Sequence, residues 1–135
     1  MEHAAYTLIS GLPDAPLLCA HAGREELAWY ESVSRRFGVS VFLCSGFDWD
    51  GDLSPWPATL PGRTERAFRG EAARHLEMFC ASLEACERSR GLRPKERWIV
   101  GYSLAGLFSV YAGLVTDRFD AIASVSGSLW YPGFA

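Results

Sequence analysis

Apolar residues in this chain follow two rhythms. Continuous runs occur at 15–20 (APLLCA), 39–46 (VSVFLCSG), 97–103 (RWIVGYS) and 121–127 (AIASVSG). Short unbroken runs bounded by Pro or Gly predict strands buried on both faces. Between them the spacing changes to three and four. Leu27, Tyr30, Val33 and Phe37 form one stripe that Gly38 ends, and Phe68, Ala72, Leu76, Phe79, Leu83 and Cys86 form a longer one that stops before Gly91 and Pro94. Leu104, Leu107, Phe108, Tyr111 and Leu114 form a third. Each is the apolar face of an amphipathic helix. Strands alternating with helices predict right-handed crossovers and an α/β three-layer sandwich with a mostly parallel sheet. Residues 5–10 add an antiparallel edge strand. From 46 to 70 the prolines and glycines forbid any long element, so an irregular loop over the active face is expected there.

Composition narrows the class. With 135 residues, 49% of them hydrophobic, the chain forms one domain (1–135) able to bury a core. A net charge of −3 without runs of either sign gives no footprint for nucleic acid or an anionic membrane, so a small-molecule partner is expected. No basic leader precedes an apolar stretch and no apolar run approaches a membrane span, which predicts a cytoplasmic protein. Cys19, Cys44, Cys80 and Cys86 lack CxxC spacing and read as reduced thiols, with neither metal nor cofactor expected. Asp48, Asp50 and Asp52 alternate as in a calcium loop, but the twelfth position from Asp48 is Thr59, not a bidentate Glu; a solvated turn is expected.

The chemistry centres on Gly101-Tyr102-Ser103-Leu104-Ala105-Gly106, where a strand gives way directly to a helix. A nucleophile elbow needs small residues two before and two after the serine, so that helix and strand can approach closely. Gly101 and Ala105 meet that need. The Leu104 N–H is left free at a helix N-terminus, where it can hold an oxyanion. The bare string also fits an ordinary strand-to-helix turn; the apolar strand before it and the apolar helix after it favour the elbow.

The element order around GYSLAG resembles the α/β-hydrolase fold from its third to its sixth strand. More narrowly, "GYSLAGLFSVY" with "SVSGSLWYPGF" resembles the esterase D and enterochelin (siderophore) esterase-like family, and "DWDGDLSPWPA" is similar to a loop in a bacterial branch of it. The resemblance implies a serine esterase acting on a small-molecule carboxylic ester. Ser103 would be the acyl-enzyme nucleophile and the Leu104 N–H one oxyanion donor. The second donor would come from the backbone of His21, Ala22 or Gly23, and Ala22 is assigned.

The same resemblance orders the triad as Ser, then Asp or Glu, then His. After Ser103 the acids are Asp117 and Asp120, at the sheet end opposite the serine, and no histidine follows. His3 reads as a terminal residue, His75 as a partly exposed helix residue, and His21 as packed beneath the oxyanion loop or lining the pocket, with catalytic base as its alternative role. Without a base, a serine hydrolase loses on the order of 10⁶ in rate. The expectation is therefore a truncated member, whose last strand would be an open edge prone to self-association. A non-catalytic fragment and an acyltransferase or thioesterase are the alternatives. Trp49, Trp56 and Trp130 are candidates to line a substrate pocket, or else pack their own loops.

Overall fold

A computed structural model of the chain describes residues 4–60 and 63–134; His3 lies outside the described residues. Five strands form the main sheet: β1 (Ala5–Ile9), β2 (Leu17–His21), β3 (Ser40–Ser45), β6 (Arg97–Tyr102) and β7 (Ala121–Val125), in the order β1-β3-β2-β6-β7. β1 is antiparallel to β3, and every other pairing is parallel. The remaining strands, β4 (Ala58–Leu60) and β5 (Arg63–Phe68), form a separate antiparallel hairpin. The helices are α1 (Leu27–Phe37), the short α2 (Trp49–Asp52), α3 (Ala72–Arg90) and α4 (Leu104–Val115). This is the predicted architecture, mixed α/β around a mostly parallel sheet. Among the described residues no helix is long and apolar enough to cross a membrane.

Strand alternation divides the core between two faces. Leu17 and Cys19 of β2, Phe42 and Cys44 of β3 and Ile99 of β6 face the larger core, which α3 fills with Leu76, Phe79 and Leu83, and α4 with Leu107, Phe108 and Ala112. The opposite face carries Ala20, Val41 and Leu43 and is covered by Tyr30 of α1. Tight turns let these layers follow one another. Gly38 closes α1 at φ 74°, donating its N–H to Ser34 O, a left-handed geometry that a side chain would strain.

Several expectations need correction. The 46–70 segment is not wholly irregular: it holds α2 and the β4–β5 hairpin, short elements that fit between its prolines. Phe68 belongs to β5 rather than to the long helix, although it is 2% exposed as a core residue should be. Leu27 and Phe37 lie in solvent, and the buried face of α1 is Tyr30 with Ser34. Leu114 is also exposed, because the last turn of α4 projects past the packed core. Asp52, expected in a solvated turn, is 2% exposed, and its carboxylate accepts the Asp48 N–H at 2.9 Å. Meanwhile the Asp48 carboxylate accepts the Gly51 N–H and pairs with Arg69.

Candidate active site

Topology alone marks one place on this sheet. From β2 the chain moves through α1 to β3 on one side; from β3 it crosses back through α3 to β6, and then moves on to β7 on the other side. The direction of winding therefore reverses between β2 and β6. Crevices at the carboxyl ends of strands at such a reversal are where open α/β sheets bind ligands. β6 leads into Ser103 and β2 ends at His21.

Ser103 joins the last residue of β6 to the first of α4 with φ 60° and ψ −121°, a sparsely populated conformation for a residue with a side chain. Surrounding contacts hold it there. Its N–H donates to Val125 O at 3.0 Å, and its carbonyl accepts N–H bonds from Gly106, Leu107 and Ser128. Gly101 is required because a Cβ there would fall on the Ala105 carbonyl, while Ala105 itself is small enough to be buried against the turn. Ser126 adds a second positive φ, 48°, in the facing turn after β7. Among the described residues, the hydroxyl within reach of Ser103 Oγ is that of buried Ser128, 3.5 Å away. Leu104 is the first residue of α4, so the helix ladder supplies no acceptor for its N–H.

The exit of β2 differs from the sequence expectation. The Ala22 N–H, assigned to the oxyanion, donates to Cys44 O at 3.0 Å and extends the β2–β3 ladder. The next N–H, of Gly23, donates to the Glu26 carboxylate at 2.8 Å. That carboxylate is carried by an exposed side chain, so an incoming anion can displace it, whereas replacing Cys44 O would break the sheet.

His21 is buried at the end of β2. It is 6% exposed and packed against the rings of Phe47, Phe79 and Phe108, with its Nε2 2.9 Å from the Nε2 of His75. His75, expected to be partly exposed, is 3% exposed. Burial, followed by the neighbouring His75, holds the His21 pKa well below the ordinary imidazole range. Burial also lowers that of His75; Asp52 opposes this and Arg74 adds to it. Cys44 Sγ stands near both rings, the potential ligand atoms of the three residues lying within 4.8 Å of one another. The two nitrogens are nevertheless at hydrogen-bond distance, shorter than two ligands of one metal ion normally approach.

Of the three tryptophans, Trp56 takes the loop-packing alternative. Trp56 donates its Nε1–H to Pro132 O and stacks on Phe134, so it packs its loop. Trp49 is 38% and Trp130 60% exposed. A groove of about 490 Å³ beside the serine turn is lined instead by Trp29, Tyr30, Tyr102 and Val125, with Glu26 at its border. Asp120 lies at the far end of the sheet, where it accepts the Arg97 N–H at the start of β6. The His21–His75 pair, Ser128 and Trp29 were all missed by sequence reasoning; only the Ser-Gly-Ser string of 126–128 offered a signal.

No protein-family model matches the chain, and no curated protein matches it. Solved structures do. An IroE-like serine hydrolase from Shewanella oneidensis superposes with a TM-score of 0.79 at 19% identity, over 95% of this chain and 47% of its own. The siderophore hydrolase EstA from Aspergillus nidulans gives 0.73 at 17% identity, over 98% and 60%. The BES protein from Bacillus cereus gives 0.74 at 13%, over 96% and 60%. The fold is therefore α/β-hydrolase-like, and the chain spans about half to three-fifths of these proteins' lengths.

Proposed function

We propose that Ser103 is the nucleophile of a serine hydrolase that cleaves carboxylic esters through an acyl-enzyme. The observation that carries this is the backbone of Ser103, held at φ 60° and ψ −121° between a strand and a helix at the sheet's reversal point. A capping serine needs no such conformation, and a hydroxyl presented at the tip of a turn does. The Leu104 N–H serves as one oxyanion donor. The Gly23 N–H, rather than that of Ala22, serves as the other once the Glu26 carboxylate swings away. Similarity to the siderophore hydrolase EstA makes a siderophore ester one member of the substrate class.

In this reading the triad base is not among these 135 residues. No histidine follows Ser103, and His21 and His75 are engaged with each other. That engagement favours the second reading, a chain that keeps the fold and a binding crevice without turnover. An acyltransferase or thioesterase would use the same Ser103. A fluorophosphonate probe followed by intact mass separates nucleophile from scaffold. The wild-type chain is expected to gain one adduct, slowly because no base activates the hydroxyl, and Ser103→Ala none; equal labelling of the two removes Ser103 from the chemistry. Self-association belongs to the same proposal, because among the described residues β7 pairs on one side only and all five of its residues are exposed.

A further inference from the structure

We propose that His75, which touches no reacting atom, is a positioning residue: its hydrogen bond to His21 fixes the exit of β2 against the helix that carries Ser103. This rests on the reading of Ser103 above. β2 and β6 pair from Leu17↔Arg97 to Ala20↔Val100, so the next residue of β2, His21, comes level with Gly101 and the turn beyond it with Ser103. The two imidazoles lie where three elements meet. His21 ends β2, His75 projects from the first turns of α3, and Phe108 of α4 packs edge-on against both rings, with centroids 4.9 and 5.6 Å away. Phe47 and Phe79 close the remaining sides. In such an apolar setting the Nε2 of a lone imidazole would go unsatisfied, and here the two Nε2 atoms satisfy each other. The joint thus orients the backbone that runs on through Ala22 to Gly23.

The geometry also assigns the protons. A bond between two Nε2 atoms requires one ring to carry its proton on Nε2 and the other on Nδ1. His75 Nδ1 faces Asp52 Oδ2 at 3.9 Å, and that carboxylate is itself fixed by the Asp48 N–H. His75 is therefore the Nδ1–H tautomer and the acceptor, and His21 Nε2–H is the donor. The other titratable or charged groups facing the pair are Cys44 from β3 and Arg74 from α3.

Amide exchange, imidazole ¹⁵N spectra, metal content and fluorophosphonate labelling of the full chain test this together. His75→Phe keeps the ring volume and deletes the bond; it is expected to raise exchange at Ala22 about tenfold while leaving Ile99 unchanged, the factor that one hydrogen bond is worth. Labelling of Ser103 should slow by a similar factor, and His75→Gln, which keeps an acceptor, should recover much of both. Unchanged Ala22 exchange in His75→Phe overturns the proposal. Should that variant not fold, the wild-type spectrum decides. It must show one Nε2-protonated and one Nδ1-protonated ring, and two rings of the same tautomer, or one equivalent of bound zinc, overturn it. If Ser103 does not label at all, the nucleophile reading fails, while exchange and tautomers still report on the joint.

Discussion

Two turns border the crevice, and they are built in opposite ways. After β6 the chain turns on local geometry: Gly101, Ser103 and Ala105 lie within five residues, and the strain at Ser103 is held by backbone bonds to Val125 and Ser128. After β2 the turn is held from afar, by His75, 54 positions later in the chain, and by the Cys44 carbonyl. A strained backbone conformation can thus be encoded in a short motif, whereas the facing wall depends on how the helices dock.

The largest effect is expected at Gly101. Gly101→Val would drive a side chain into the Ala105 carbonyl, and a loss of about 3 kcal/mol in urea unfolding is expected, with Ser103 labelling abolished. If stability is retained, the β6 turn is not under the steric control described. Acid should act on the other wall. Both imidazoles are held neutral in the folded state, their pKa lying below the ordinary 6.5, so the unfolded chain binds protons first. Their contribution is complete above pH 6.5 and is lost as pH falls below it, each unit of pKa depression being worth about 1.4 kcal/mol over that interval. Urea midpoints at pH 7.5 and 5.0 should therefore differ, and the difference should shrink when both histidines are replaced by Phe. A pH-independent midpoint in the wild type would mean the pair is not buried as a neutral unit. The smallest effect belongs to Glu26→Ala, which frees the Gly23 N–H; exchange at Gly23 should rise a few-fold with global stability unchanged. No change at Gly23 would remove Glu26 as the group guarding the second oxyanion donor.

The contrast also explains what was legible in the sequence. The strands at 17–21, 40–45 and 97–102 announced themselves as apolar runs, and the strand-to-helix turn at Ser103 as a motif, because both signals are local. The hairpin at 58–68 was hidden by prolines that break long elements but tolerate short ones. His75 was misjudged because its place on α3, one position before Leu76 of the apolar stripe, gives no sign that an imidazole waits at the end of β2. That the Ala22 N–H is spent on Cys44 O was hidden, because a ladder bond past the end of a strand leaves no trace in residue types. Leu114 continued its stripe faithfully, yet the core ended before it.

The order of strands has one more consequence, for how the sheet assembles. Partners within each flank are close in the chain: Leu17 meets Ser40 and Trp98 meets Ala121, each 23 positions apart. Across the crevice, Leu17 meets Arg97, 80 positions away. Closing the longer loop costs about 1 kcal/mol more in chain entropy, so each flank can gather by itself before the two are joined. The crevice is the seam between them, and it comes into being only with the completed sheet.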